Sequence, residues 1–171
     1  DSLIRELLDY AQPDESLVPI HFGPVVTETL EKFVSQGKLQ KERLVTNISA
    51  QLPSILISKR KLEQVLINLL SNALDASGMM SQVSITAFTS NHQVVLEISD
   101  QGEGISESDL AHIFDPFFTT KPPGKGRGLG LFVSHQIIND ARGLIEVEST
   151  LGKGSIFRIL LPAVEHASNE I

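Results

Sequence analysis

The chain has 171 residues, a net charge of −7, 41% apolar and 20% charged residues, and no cysteine. That length suits one packed domain with a short appendage, and the acidic balance argues against nucleic acid as a partner, since phosphate backbones are held by basic faces. The missing cysteines exclude disulfides and thiolate metal sites. No apolar run reaches about 18 residues and no signal peptide is recognisable, so the chain reads as cytosolic, with room for a longer parent anchored in the inner membrane.

In chain order, Leu3, Ile4, Leu7, Leu8 and Ala11 lie at helical spacing without a preceding cap, which predicts the end of a helix begun elsewhere. Pro13 and Pro19 bracket a polar linker, Asp14 to Ser16, and the domain proper starts near Val18. The expected division is therefore residues 1–17 as helix tail and linker, 18–162 as the domain, and 163–171 as a frayed tail. Val25 to Val34 predict a helix stopped by Gly37, followed by strands at Leu44 to Ile48 and Ile55 to Ile57. Lys59 to Ser77 is the longest predicted helix, with Leu62, Val65, Leu66, Leu69, Leu70 and Ala73 on its buried stripe.

Val83 to Thr89 and Val94 to Asp100 alternate as a hairpin across Asn91-His92. From Gly102 to Gly130 periodicity vanishes and Gly and Pro are dense, so a long loop with a functional role is predicted there. A helix from about Leu129 to Asp140 follows, and Leu144 to Ser149 with Ser155 to Leu161 close a second hairpin through Gly152-Lys153-Gly154. The sum is an α+β fold, an α/β sandwich with helices on one face of a mostly antiparallel sheet.

Four local patterns bear on chemistry. Asn68 and Asn72, four apart on one helical face, are either two surface asparagines or a pair sharing a ligand. Asp100-Gln101-Gly102-Glu103-Gly104 ends an apolar strand with a carboxylate that can accept from an exocyclic amine, or is simply a turn. Gly126-Arg127-Gly128-Leu129-Gly130-Leu131 opens a helix, where free N–H groups and the dipole favour an anion. Gly152-Lys153-Gly154-Ser155 reads locally as a hairpin turn.

Taken in order, with Phe114-Asp115-Pro116-Phe117-Phe118-Thr119-Thr120-Lys121 between the second and third, these patterns closely resemble the N, G1, F, G2 and G3 boxes of sensor histidine kinases. The resemblance covers Val18 to Pro162 and implies the Bergerat sandwich of that family, shared with gyrase, Hsp90 and MutL-type ATPases. It implies that Asp100 holds the adenine amine, that Gly102 and Gly104 shape the adenine pocket, that Ile105 covers the ring, and that Ser155 reaches adenine through water. It further implies that Asn72 coordinates Mg²⁺, that Asn68 assists at the phosphates, and that the backbone of Gly126, Arg127, Gly128, Leu129, Gly130 and Leu131 cradles them. Lys121, Lys125 and Arg127 become γ-phosphate partners or solvated lid charges. Phe114, Phe117 and Phe118 fasten the lid or serve as core aromatics.

Two departures from the family pattern matter. Asp75 stands where many relatives carry a basic residue, in the Asn-Ala-x-Asp-Ala form of nitrogen-sensor-like kinases. No His-Glu-x-x-Asn-Pro phosphoacceptor box is present, and His21, His92, His112, His135 and His166 read as ordinary surface or packing histidines. The resemblance thus implies a domain that binds ATP and Mg²⁺ and donates the γ-phosphoryl to a histidine on a separate dimerisation domain. A response regulator would be reached through the parent, a homodimer, while the fragment itself would be monomeric. Rival readings are a hydrolytic ATPase of the same fold, disfavoured because Asn68 stands where those enzymes place a glutamate base, and a nucleotide-dependent binding module or serine kinase.

Overall fold

The computed structural model describes residues 17–78, 81–122 and 126–164. The predicted helix over Leu3 to Ala11, the linker, Lys125, His166 and the tail from 165 onward lie outside them. The described chain runs β1 (Pro19–His21), α1 (Phe22–Ser35), β2 (Leu44–Ile48), β3 (Ser54–Leu56), α2 (Lys59–Ala76), β4 (Val83–Ser90), β5 (Gln93–Asp100), α3 (Glu107–Leu110), α4 (Gly130–Asp140), β6 (Leu144–Thr150) and β7 (Gly154–Pro162).

Five strands form one sheet in the order β2-β4-β5-β7-β6, in which only β2 and β4 run parallel. The fold is the expected α+β sandwich. The β4–β5 turn is made by Asn91 and His92 at φ 50° and 60°, the double positive φ of a type I′ hairpin. Asparagine tolerates that region and explains why these two residues could be read as a turn. β1 and β3 pair apart from the main sheet, with Ile20 opposite Ile55. β1 and the one-turn α3 escape sequence reading because three or four residues hold too little of any period to register.

The core lies between the sheet's inner face and three helices. Ile85, Leu96, Ile98 and Ile159 meet Leu62, Leu66, Leu69 and Leu70 of α2, each no more than 2% exposed. α1 adds Phe22, Val26 and Phe33, and α4 adds Ile137 and Ile138. Each such side chain contributes roughly 1.5–3 kcal/mol by leaving water, which makes α2 the best-anchored helix. Its N-terminus is capped by Ser58, whose side chain accepts from the Lys61 N–H. The opposite sheet face carries Glu97, Glu148 and Arg158, with Arg158 bridging both carboxylates. Such partly solvated pairs add little to stability.

Candidate functional site

One helix supplies two faces. While its leucines enter the core, Gln64, Asn68, Asn72 and Asp75, spaced four, four and three apart, line a cavity of about 980 Å³ between α2, the end of β5 and the segment before α4. Of the residues singled out from sequence and described here, Asn68, Asn72, Asp100, Gly104, Ile105, Lys121, Ser155 and the whole run Gly126 to Leu131 border this cavity. Gly102 lies just behind it, holding Asp100. Helical spacing alone would have added Gln64 to the predicted set.

Asp100 sits at the end of β5, 5% exposed, and its Oδ1 accepts from the Gly102 N–H at 2.8 Å. Burial pushes its pKa above the usual aspartate range; the N–H groups of Gly102 and Ser155 pull the other way, and Glu103 nearby adds to the rise. The loop behind it is closely fitted. A Cβ on Gly102 would stand 2.3 Å from the Ala76 carbonyl oxygen, and Gly104, at φ +68°, has no room for one beside the Thr150 carbonyl oxygen at 2.1 Å. The Glu103 N–H donates to the Ala76 carbonyl and its own carbonyl accepts from the Gly152 N–H at 2.6 Å. The glycines therefore clamp the strand end between α2 and the β6–β7 turn, leaving the Asp100 carboxylate as a fixed acceptor at one end of the cavity.

At the other end α4 begins. Its first turn has no side-chain cap, so free backbone N–H groups and the positive end of the dipole remain for an anion. Asn68 ties the two helices together, its Nδ2 donating to the Gly130 carbonyl at 3.1 Å and to Ser134 Oγ at 3.2 Å. Gly128, at φ +67°, lies against Phe117 and Phe118, and the Phe117 N–H donates to its carbonyl at 2.8 Å.

The aromatic box divides. Phe114 and Phe118 pack against the core. Phe117 does not fasten the lid as expected: it is 63% exposed, because its backbone, at φ 66°, is held by Gly128 and turns the ring outward. Lys121 reaches back to α2, its Nζ 2.6 Å from Asp75 Oδ2 and 3.3 Å from Asn72 Oδ1. A cation is thus already seated between the two side chains, so these hard oxygens suit a positive charge. No cluster of three or more His, Cys, Asp or Glu residues that could hold a metal occurs among the described residues.

Residues 57–165 match the family model described as histidine kinase-, DNA gyrase B- and HSP90-like ATPase, a span that includes every residue of the cavity. The chain belongs to this family. Within it, the histidine kinase-like ATPases supply the sequence relatives: 34% identity to sporulation kinase E of Bacillus subtilis (strain 168) over 98% of this chain and 23% of that protein, and 35% to the sensor histidine kinase ZraS of Escherichia coli (strain K12) over 94% and 34%. The chain thus spans about a quarter to a third of the length of these curated relatives. Among solved structures, the catalytic domain of histidine kinase ThkA superposes with a TM-score of 0.74 at 28% identity, covering 86% of this chain and 95% of that one. Full-length ShkA in complex with AMPPNP gives 0.80 at 26% identity, covering 98% of this chain and 36% of that one. No described helix of this ATPase-family domain is long and apolar enough to cross a membrane.

Proposed function

We propose that this chain is the ATP-binding catalytic domain of a sensor histidine kinase, which holds ATP with Mg²⁺ and donates the γ-phosphoryl to a histidine on a separate helical domain of its parent. The observation that carries the reading is the polarity of this cavity: a buried carboxylate acceptor, Asp100, at one end and uncapped helix N–H groups at the other. That arrangement suits a base with an exocyclic amine joined to a string of phosphates.

Among the described lining residues the cavity carries four carboxylates, Asp75, Asp100, Glu103 and Asp109, against two cations, Lys121 and Arg127. A triphosphate entering such a site needs further positive charge, and Asn72, whose Oδ1 already takes a cationic partner, is the residue we assign to Mg²⁺. When bound, Mg²⁺ would supply positive charge against the phosphates. This chain's residues do the rest. Asp100 orients the base, Ile105 and the glycine-clamped loop cover it, the backbone from Gly126 to Leu131 receives the phosphates, and Lys121 and Arg127 supply lid charge. The Asn68 amide cannot take up a proton, so water at the γ-phosphate finds no general base there. Catalysis is then positioning and charge neutralisation.

In the parent we expect a homodimer, formed by its helical domain, that passes the phosphoryl to a response regulator. The domain alone is expected to be monomeric. Measured alone, it should release phosphate far more slowly than the median enzyme rate of about 10 s⁻¹. Turnover near that value would make it a hydrolytic ATPase instead.

A further inference from the structure

Three polar side chains stand in one row across neighbouring strands: the half-buried Ser149 on β6 is paired with Ser155 on β7, which is paired with Asp100 on β5. Ser155 and Asp100 are 4% and 5% exposed, and both border the cavity. Ser149 does not border it. Its hydroxyl oxygen accepts from the Ile105 N–H at 2.8 Å and lies 2.9 Å from both the Gly154 carbonyl oxygen and Ser155 Oγ.

The hydrogens in this cluster can be assigned by elimination. A carbonyl oxygen can only accept, so the single hydroxyl hydrogen of Ser149 goes to Gly154. Ser149 is then an acceptor toward Ser155, and the Ser155 hydroxyl must spend its own hydrogen on Ser149. What Ser155 offers the cavity is lone pairs only. Beside it the Asp100 carboxylate also accepts.

We infer that Ser149 is a specificity-determining residue: by fixing the direction of the Ser155 hydrogen bond, it makes this end of the cavity accept an amino group at the purine 6-position and reject a keto oxygen. The inference rests on the proposed ATP site and names how that site tells purines apart. A bridging water leads to the same preference, because a water that donates to both Ser155 and Asp100 has only lone pairs left for the base. A 6-amino group meets those lone pairs as a donor. A 6-keto oxygen meets acceptor with acceptor and leaves buried groups unpaired, the situation that discriminates most strongly between ligands. Ser149 also holds the Ile105 N–H, so the same hydroxyl fixes the loop proposed to cover the ring.

The test compares ATP with inosine triphosphate, its 6-keto counterpart, by titration calorimetry with Mg²⁺ on the wild type, Ser149→Ala, Ser149→Thr and Ser155→Ala. The wild type should prefer ATP. Ser149→Ala frees the Ser155 hydrogen to turn toward the cavity, so the ATP preference should shrink by about fivefold, the effect of one neutral hydrogen bond. Ser149→Thr, which keeps the hydroxyl, should stay near the wild-type ratio. A purely structural role would weaken both nucleotides alike and leave the ratio untouched. An unchanged ratio in a cooperatively melting Ser149→Ala, or a Thr variant as unselective as the Ala variant, overturns the inference alone. If Ser149→Ala does not fold, Ser155→Ala decides, since an unchanged ratio there overturns it as well. A wild type that binds no ATP would overturn the proposed function together with this refinement.

Discussion

Asp100 carries opposing demands. Its carboxylate is buried among neutral groups and a nearby glutamate, which raises its pKa, yet adenine recognition by a strong acceptor requires the ionised form. An acid whose folded-state pKa exceeds its unfolded value binds more protons when folded, so the stability of the free domain falls as pH rises through that window. Asp100→Asn should therefore melt at a higher temperature than the wild type near neutral pH, with the two converging below about pH 4, where the unfolded carboxyl is also protonated. The same variant should bind ATP more weakly by about 1.5–3 kcal/mol; calorimetry showing undiminished affinity would remove Asp100 from the base site. At the phosphate end, Asn72 has as its described partner the Lys121 ammonium rather than any core group. Asn72→Ala should accordingly leave the melting temperature nearly unchanged while flattening the Mg²⁺ dependence of ATP binding, and a wild-type dependence would refute its assignment to the metal.

Between residues, the described parts of the segment from Ile105 to Leu129 are held by the Ser149 hydroxyl, by Ile105, Leu110, Ile113, Phe114 and Phe118 packed on the core, by the Phe117–Gly128 backbone bond, and by Lys121 on Asp75. A Cβ at residue 128 would stand 2.3 Å from the Phe117 carbonyl carbon, at a φ that L side chains avoid, so Gly128→Ala must push this segment off its seat. Hydrogen exchange should rise across residues 114–121 and ATP affinity should fall, with α2 and the sheet still protected. Uniformly raised exchange would place Gly128 in the fold rather than in the lid. Long elements were legible in the sequence because α2 and the β4–β5 hairpin repeat their period several times over. β1 and α3 were not, being too short to show one. The outward turn of Phe117 was equally hidden, since aromatic character says nothing of the backbone φ that aims the ring. The order of the glycine patterns and of Asn68 and Asn72, through the resemblance it carries, pointed to residues that border the cavity. Asp75 needed the fold, because its identity departs from the pattern and its partner, Lys121, lies 46 positions away. Ser149 was illegible for the same reason, as a serine among alternating strand residues carries no local mark of the three groups its hydroxyl joins.

For the molecule as a whole, the division of labour is set by what the chain contains. The core formed by α1, α2, α4 and the sheet fixes the cavity's two ends, and the described histidines have other occupations: His21 meets Ser54, His92 makes the β4–β5 turn and its carbonyl accepts from the Ala163 N–H, His112 meets Asp115 and the Phe118 ring, and His135 meets Phe114 and Asn139. Asn68 is committed to Gly130 and Ser134 and offers no base for hydrolysis. A γ-phosphoryl held here is therefore expected to wait for an acceptor brought from outside the domain. The direct measurement is a time course with γ-labelled ATP and Mg²⁺, first with this domain alone and then after adding the parent's histidine-bearing helical domain. Label should stay in ATP until the addition and then appear on the helical domain in the acid-labile, base-stable form of phosphohistidine. Prompt labelling of this domain by itself, or no transfer to a folded helical domain, would contradict the account.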